Sequence, residues 1–555
     1  MSLHAKAIAP VPEQTARIAQ AAFPKGNPYL QMRNEFGSFF EDEQFADLFP
    51  TRGQPAQTPW RLALATILQF AEGLSDHQAA EAVRSRIDWK YALSLELDDA
   101  GFDSSVLCEF RARLLCGEAE ARLFETLLTR FRERGLVKAR GRQRTDSTHV
   151  LAAIRALNRF ELVTETFRHS LDVLAVAAPD WLRAHAHPDW AERYGHRAFK
   201  DRLPAKTEDR IAWARTVGAD GSTLLSAVFA VDAPADLREV PAVEVLRRVW
   251  VQNYCQSVQG TERSIRWREE DIPPSTQFLS SPYDTEAHLA KKGSNCWIGY
   301  KVHLTETCED DLPPLITHVE TTAGPVADGA VTPRIHQALQ AQDLLPSTHI
   351  VDTGFLDAEL IVTSRRDFDV DLLGPTRPDL KWQARAGQGF DAQHFRIDWE
   401  QQQATCPEGH TSLSWTPVVD NRGNHVVKVK FSGRDCRSCP SRSLCCRSAK
   451  KYVRRTITVR VQDQYEALRA AREREKTNAY AAEYARRAGI EGTLSRGVRT
   501  CGLRRTRYIG EAKVHLGHLL VAAAVNFLRV SEWLLDMPRA KTRQSPFVRL
   551  MSLPA

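Results

Sequence analysis

A run of strand patterns in the middle of the chain constrains the fold most strongly. The stretch W-I-G-Y-K-V-H-L-T-E-T (297–307) alternates apolar and polar side chains, and P-L-I-T-H-V-E-T-T (314–322) follows a D-D-L-P turn, which predicts a hairpin. A helix predicted from Val326 to Gln342 leads to T-H-I-V-D-T-G-F, a short apolar strand that ends in Asp352. Antiparallel strands followed by strand, helix and strand predict a mixed α/β sheet. Asp352 then lies where such sheets carry their chemistry, at the carboxyl end of a strand.

Helical patterns precede this sheet. Six prolines interrupt residues 1–57, which predicts an irregular lead-in. From Thr58 the apolar spacing predicts a buried helix that ends at Gly73, and further helical patterns follow, so residues 58–135 are predicted to form a small helical domain. Such a domain either recognises DNA through a helix in the major groove or is a bundle that packs on its neighbour. The pattern leaves both interpretations open.

Two further segments do not follow the alternation of strands and helices that predicts the sheet. Residues 151–255 are predicted to be mostly helical, whereas residues 378–460 contain short alternating stretches such as H-V-V-K-V-K-F, which predict a β-rich segment. Residues 461–488 and the apolar stretch V-H-L-G-H-L-L-V-A-A-A-V-N-F-L-R-V then predict helices. Residues 536–555 are predicted to form a basic, loose tail.

Four cysteines of the β-rich segment have a spacing that suits metal ligation. One Cys-x2-Cys pair is followed by a third cysteine six residues later and preceded by a fourth, which fits a tetrahedral structural zinc site. The upstream half lacks a second Cys-x2-Cys pair, so a group of reduced cysteines without metal is the alternative. The four residues are Cys406, Cys436, Cys439 and Cys445.

Basic charge is concentrated in the C-terminal third of the chain. Residues 440–515 hold 19 Lys or Arg against 7 Asp or Glu, although the formal net charge of the whole chain is only +6. This concentration indicates a polyanionic partner. The first residues lack the apolar core of a signal peptide, and no run of about 18 apolar residues occurs. We therefore expect a cytoplasmic protein without membrane association.

Three carboxylates stand out by their positions. The stretch R-G-R-Q-R-T-D-S-T-H-V-L suits a strand with Asp146 near its end, although an Asp beside Ser and Thr also suits a turn or a helix cap. Glu491 shares a helical face with Tyr484 and Arg487. If these carboxylates converge with Asp352, hard divalent ions such as Mg²⁺ or Mn²⁺ would offset their charge, and a two-metal site for phosphodiester chemistry follows as a hypothesis. Spacing alone does not select these three from 69 acidic residues.

Five motifs taken together resemble the DDE transposases of bacterial insertion sequences, in the branch with an InsH-type helical N-terminal domain. The resemblance runs over most of the chain. The motifs are D-S-S-V-L-C-E-F-R-A-R-L, R-T-D-S-T-H-V-L-A-A-I-R-A-L-N-R, W-I-G-Y-K-V-H-L-T-E-T, V-D-T-G-F and I-E-G-T-L-S-R-G-V-R-T-C-G-L-R-R-T-R-Y-I-G.

The resemblance implies an RNase H-like α/β fold for residues 140–535. Asp146 and Asp352 would lie on adjacent central strands, and Glu491 on a following helix. The 206 residues between the two aspartates exceed a bare core of this kind, which implies a helical insertion at 155–290. The β-rich cysteine segment at 378–460 would be a second insertion, placed before Glu491.

The resemblance also implies a reaction on DNA. Two Mg²⁺ (or Mn²⁺) ions held by the three acids would support hydrolysis at each transposon end and attack of the freed 3′-hydroxyl on target DNA, by a homodimer on paired ends acting at the bacterial nucleoid. Many relatives carry a Tyr, Arg, Glu and Lys signature, but the Lys position is Val498 here, and Arg496 or Arg499 is expected to supply that cation. The residues expected to bind DNA are Tyr484, Arg487, Arg496, Arg499, Arg504, Arg505 and Arg507.

Two other functions fit the same motifs. The chain could be a related metal-dependent nuclease that cuts DNA without joining it, or an inactivated derivative that only binds DNA. The three acids are intact, which argues against the second alternative.

Overall fold

The computed structural model describes residues 2–5, 7–198, 203–204, 206–259, 262–385, 387–448, 453–538 and 545–551. The helices are α1 (Glu13–Ala22), α2 (Pro28–Phe36), α3 (Pro59–Glu72), α4 (Asp76–Ser85), α5 (Ile87–Ala92), α6 (Ser105–Cys116), α7 (Arg122–Glu133), α8 (Arg159–Ala177), α9 (Pro179–His185), α10 (Trp190–Tyr194), α11 (Thr207–Val228), α12 (Pro241–Asn253), α13 (Thr332–Ala341), α14 (Ala358–Phe368), α15 (Trp382–Arg385), α16 (Gly433–Ser438), α17 (Arg442–Cys445), α18 (Gln462–Glu475), α19 (Asn478–Ala485), α20 (Gly489–Arg499), α21 (Glu511–Leu534) and α22 (Pro546–Met551). The strands are β1 (Arg140–Leu151), β2 (Tyr254–Gln259), β3 (Glu262–Trp267), β4 (His288–Lys292), β5 (Asn295–Thr307), β6 (Ile316–Ala323), β7 (Pro346–Ile350), β8 (Asp371–Leu373), β9 (Arg396–Asp398), β10 (Gln403–Thr405), β11 (Ser414–Val419), β12 (His425–Lys430) and β13 (Thr456–Arg460).

A six-stranded mixed sheet organises the chain, as the strand patterns predicted. Its strand order is β4-β5-β1-β7-β8, and β6 pairs with β5. Strand β1 is antiparallel to β5 and parallel to β7, and β7 is parallel to β8. The predicted hairpin of β5 and β6 is present. The mixed α/β fold class is therefore confirmed, and it is consistent with an RNase H-like domain.

The N-terminal helices share one hydrophobic core with the sheet. Trp60 and Phe110 from these helices belong to the same buried cluster as Tyr300 and Phe355 around the sheet and Phe527 on α21. Helix α21 contacts β6 as well as α2, α3 and α7, so it joins the two parts. By length and composition α21 could cross a membrane, but 83% of its most apolar window is buried inside the fold, which is how a core helix behaves. The helical region is thus packed tightly on its neighbour.

Short helices interrupt the lead-in that was predicted to be irregular, and they take up less than half of residues 1–57. Helices α1 and α2 are followed by a 3-10 helix over Asp42–Leu48. Pro28 begins a helix instead of breaking one: it occupies the first turn of α2, where its missing N–H costs nothing, and the side chain of Asn27 accepts hydrogen bonds from the N–H groups of Tyr29 and Leu30.

Two segments inserted into the sheet topology have cores of their own. Helices α8 to α12 lie between β1 and β4 and bury residues such as Phe167 and Trp250. Strands β9 to β13 form small sheets between β8 and α18 and bury residues such as Val429 and Ile457. Half of the predicted basic tail, residues 539–544 and 552–555, lies outside the described residues, and the described part includes α22.

Candidate active site

Asp146 lies in the middle of strand β1. The strand was expected to end near this residue, but it continues to Leu151 because β5 pairs with it as far as Gly299. The side chain of Asp146 is 12% exposed, and its Oδ1 accepts a hydrogen bond of 2.8 Å from the N–H of Ser147. Asp146 is thus a largely buried carboxylate held on a central strand.

Asp352 lies beside Asp146 because of the parallel register of β1 and β7. Arg144 is paired with Ile350, and each aspartate follows two residues later on its own strand. The Oδ1 of Asp352 accepts a 2.7 Å hydrogen bond from the N–H of Gly354. A Cβ at Gly354 would lie 2.9 Å from that same oxygen, so only glycine fits the turn in this form. Asp352 therefore stands at the strand end, as its sequence pattern predicted.

Arg487 brings the three predicted carboxylates to one place. Its Nη2 lies 2.7 Å from Oδ2 of Asp146 and 3.9 Å from Oδ2 of Asp352. Its Nη1 lies 3.6 Å from Oε1 of Glu491, one helical turn further along the chain. Asp146, Asp352 and Glu491 thus surround a single guanidinium, although 206 and 139 residues of sequence separate them in turn.

The surroundings of Asp146 oppose its ionisation. Burial raises the pKa of this carboxyl above its ordinary value, and the charge of Asp352 adds to the effect, while Arg487 and Lys292 lower it. Burial also raises the pKa of the Tyr484 hydroxyl, although the nearby Arg487 lowers it. A second cation at this place would favour the ionised form of Asp146 in the same way that Arg487 does.

Tyr484 packs beside the site instead of projecting into solvent. Its ring stacks on Tyr480 with the ring centres 5.6 Å apart and the planes 7° from parallel. Both rings pack against the buried residues Ile350 and Leu373 of β7 and β8. The structure therefore places Tyr484 where it can support the strand that precedes Asp352.

The arginines expected to bind DNA have different surroundings. Arg496 makes two contacts with Glu532, at 2.6 and 2.8 Å, so its charge is already matched. Nη1 of Arg504 donates to Oγ1 of Thr148 at 3.0 Å and contacts Nδ1 of His149 at 2.7 Å, which fastens the segment after α20 to strand β1. Arg504 is a structural anchor in this state.

The remaining three arginines differ in whether they contact the rest of the fold. Arg499 and Arg505 are exposed. Arg507 donates to the carbonyl of Leu74 at 2.9 Å and lies over the ring of Phe70, so it links the segment to the N-terminal helices. Arg499 and Arg505 are thus the arginines that remain best placed for phosphate.

Two residues near the carboxylates had no distinguishing signal in the sequence. Lys292, the last residue of β4, acts on the charge of Asp146 from the β4–β5 hairpin. Glu306, on β5, is fully buried beside α20. The alternating pattern of the strand predicts that an acid such as Glu306 is exposed. Only its pairing with buried arginines, which the sequence does not show, indicates that it is buried. Val498, at the signature Lys position, packs against the main hydrophobic core.

The four cysteines predicted to bind zinc line one small pocket of about 30 Å³. Cys446 and His410 line it as well. Burial raises the pKa of the Cys445 thiol to about 11, which disfavours the thiolate in the absence of a cation. Zinc binding remains a prediction. The pocket is lined by Cys406, Cys436, Cys439 and Cys445, and none of the three carboxylates lines it.

Neither centre has the geometry of a formed metal site. Over the described ranges, no three His, Cys, Asp or Glu side chains stand together in a metal-coordinating arrangement. At the carboxylates Arg487 stands between the ligands, and its buried Nε has no hydrogen-bond partner within the described part of the chain. The donors are all carboxylate oxygens, the ligands that Mg²⁺ and Mn²⁺ prefer. The residues present therefore fit a divalent cation once Arg487 moves aside.

Comparison with known families gives two matches. Residues 17–113 match a family model described as a transposase domain (DUF772), and residues 405–531 match one described as a transposase DDE domain. The first match covers the N-terminal helices through most of α6, and the second runs from the cysteine segment through Glu491 and most of α21. No curated protein and no solved structure matched the chain.

Proposed function

We propose that this chain is a DDE transposase of an insertion sequence, which cuts DNA at the ends of its element and joins the freed 3′-hydroxyl to target DNA. The matches of residues 17–113 and 405–531 to transposase family models support the proposal. One observation carries the proposal. Asp146, Asp352 and Glu491 face the same guanidinium at 2.7, 3.9 and 3.6 Å. A cluster of carboxylates on neighbouring central strands and an adjoining helix, with a cation between them, suits the holding of divalent ions against a phosphodiester.

The three carboxylates would hold two divalent ions, Mg²⁺ or Mn²⁺. When bound, such ions stabilise the charge that develops on the phosphodiester and make a water or a 3′-hydroxyl a better nucleophile. Asp146 and Asp352 are fixed by backbone hydrogen bonds, so they can present their oxygens with little rearrangement. Glu491 is 70% exposed and completes the site from the opposite, DNA-facing side.

Arg487 would exchange its carboxylate partners for a DNA phosphate. In the structure its single positive charge offsets part of the charge of the three carboxylates, with its closest contact to Asp146 at 2.7 Å. Two divalent ions would match that charge instead, and the guanidinium would then be free to contact the backbone near the cut. Arg499 and Arg505 are exposed further along and would hold the flanking phosphates.

DNA at two element ends calls for two copies of the chain. We therefore propose a homodimer on paired ends that acts in the cytoplasm at the nucleoid. The N-terminal helices, which Arg507 links to the segment after α20, would help to recognise the end sequence.

Conservative replacement of each acid tests the proposal. Asp146→Asn, Asp352→Asn and Glu491→Gln should each abolish Mn²⁺-dependent cleavage of end DNA, because they remove a ligand charge but keep the side-chain shape. Binding of uncut end DNA should stay within about twofold, since phosphate contacts supply most of the affinity. Asp343→Asn is the matched control, because Asp343 is 89% exposed and pairs only with the remote Arg132 in the ion pair seen here.

The outcomes separate the alternatives. Cleavage at the wild-type rate by any of the three variants would remove that residue from the proposed site. Cleavage by the wild-type protein without joining of precut ends would favour the nuclease alternative. A wild-type protein that binds ends but does not cut them with Mg²⁺ or Mn²⁺ would favour the inactivated derivative.

A further inference from the structure

A buried ionic network lies directly behind the carboxylates. Glu306 on β5 has no exposed surface, and its Oε1 lies 2.7 Å from Nε and 2.6 Å from Nη2 of Arg144. Its Oε2 lies 2.7 Å from Nη1 of Arg529 and accepts a 2.5 Å hydrogen bond from Oγ1 of Thr493. Burial opposes the ionisation of Glu306, but Arg529, Arg144 and Thr493 outweigh it and hold the pKa below its ordinary value.

The four members of the network come from four different elements. Arg144 lies on β1 two residues before Asp146, directly opposite Glu306 in the antiparallel register. Thr493 lies on α20 two residues after Glu491, and Arg529 lies on α21. Because successive residues of a helix turn by about 100°, Thr493 and Glu491 point to roughly opposite sides of α20. One side carries the exposed acid, and the other is fastened to Glu306.

The first residue of α20 lies so close to the sheet that only glycine fits there without movement of a neighbour. Gly489 begins α20, and a Cβ there would lie 2.2 to 2.5 Å from the guanidinium of Arg144. Arg144 also donates to the carbonyl of Arg486, just before the helix. The start of α20 therefore rests on the same arginine that pairs with Glu306.

We propose that Glu306 is a positioning residue. Through Thr493 and Arg144 it fixes the height and rotation of α20 over the sheet, and so sets the distance of Glu491 from Asp146. Glu306 itself touches neither DNA nor metal. This inference rests on the proposed function, because it concerns the acid that would complete the metal site.

Loss of the Thr493 hydroxyl tests the proposal with little change of shape. Thr493→Val should raise the Mn²⁺ concentration for half-maximal cleavage of end DNA by about 10- to 100-fold, as the loss of groups that orient metal ligands does elsewhere. Thr493→Ala carries the same expectation and keeps the test available if valine disturbs folding. Thr493→Ser retains the hydroxyl and should restore the wild-type Mn²⁺ dependence within about twofold.

Thr164→Val is the matched control. Thr493 donates to Glu306 and accepts from Nη2 of Arg529. Thr164 is likewise a buried helical threonine with two hydrogen bonds, to the carbonyl of Phe160 at 2.9 Å and from Nε1 of Trp213 at 3.1 Å, but it lies in the insertion of α8 to α12. Its replacement should lower the melting temperature about as much as Thr493→Val does, without a shift in Mn²⁺ dependence. A purely structural role of the Glu306 network would make the two variants alike.

Direct binding of Mn²⁺ can be measured from the electron paramagnetic resonance signal of the free ion. This measurement distinguishes a failure of the proposed function from a failure of the positioning role alone. Wild-type protein that neither cleaves nor binds Mn²⁺ in an Asp146-dependent manner would refute the proposed function itself. Wild-type protein that does both, together with folded Thr493→Val and Thr493→Ala variants of unchanged Mn²⁺ affinity, would refute only the positioning role. Weakened binding that Thr493→Ser restores is the result we expect.

Discussion

The substitution Gly489→Ala places a methyl group where α20 meets the sheet. The new Cβ would lie as close as 2.2 Å to the guanidinium of Arg144. Ordinary contacts of this kind begin at about 3.4 Å, so roughly 1.2 Å must be gained by movement. The guanidinium is the end of a long side chain, but it is held on two sides by Glu306 and by the carbonyl of Arg486. It cannot swing away without giving up these contacts.

Two responses to the added methyl group are open, and both are costly. If Arg144 withdraws, the buried carboxylate of Glu306 loses one of its two arginines, and breaking such a pair costs about 3–5 kcal/mol of folding stability. If instead α20 lifts by about 1 Å, Glu491 moves with it, and a misplacement of that size costs about 100-fold in rate. Gly489→Ala should therefore lose stability, activity or part of each.

Gly492→Ala provides the control within the same helix. A Cβ at Gly492 meets no atom within 4 Å, and glycine inside a helix costs about 0.5–1 kcal/mol relative to alanine. This variant should be as stable as the wild type or slightly more so. Urea unfolding followed by circular dichroism, together with Mn²⁺-dependent cleavage of end DNA, measures both effects. A Gly489→Ala variant as stable and as active as Gly492→Ala would refute the close packing of α20 on Arg144.

Four further variants test the DNA-binding, structural and zinc-binding roles assigned above. Arg505→Ala should weaken DNA binding and reduce its salt dependence by about one counterion, while the melting temperature stays unchanged. Arg504→Ala should instead lower the melting temperature, because Arg504 anchors the segment after α20 to β1. Equal effects of the two substitutions on the melting temperature would contradict these roles. Lys292→Ala should weaken binding of cut ends more than Asp343→Asn does, measured by fluorescence anisotropy, since Lys292 lies near enough to act on Asp146. Cys436→Ser combined with Cys439→Ser should remove about one bound zinc ion per chain in metal analysis, and a wild-type protein purified without zinc would contradict the zinc prediction.

The sheet and the position of Asp352 could be predicted because they depend on local patterns. Alternation over 297–307 identified β5, and a short apolar run ending in an acid identified the strand before Asp352. The extent of β1 was not predictable in the same way, since pairing with β5 carries the strand beyond Asp146. The short helices of the lead-in were not predictable from its prolines, because Pro28 begins a helix and proline composition alone does not distinguish that position from a break.

The convergence of the carboxylates was predictable only through family resemblance. No spacing rule joins Asp146, Asp352 and Glu491, because the separations are set by two insertions whose lengths do not affect the site. The roles of the arginines differ for a similar reason. Arg496 and Arg505 look alike in sequence, but the partner of Arg496 is Glu532, on a helix that only the fold brings alongside. Sequence shows where charge is, and tertiary pairing decides which charge is available to DNA.

Strand transfer from precut ends tests the central claim most directly. End DNA with a free 3′-hydroxyl, incubated with target plasmid and Mn²⁺, bypasses cleavage and reports only on the joining step. We expect joined product with the wild-type protein and none with Asp146→Asn, Asp352→Asn or Glu491→Gln, although all four proteins bind the ends. Joined product from any of these variants, or none from a wild-type protein that cuts ends, would contradict it.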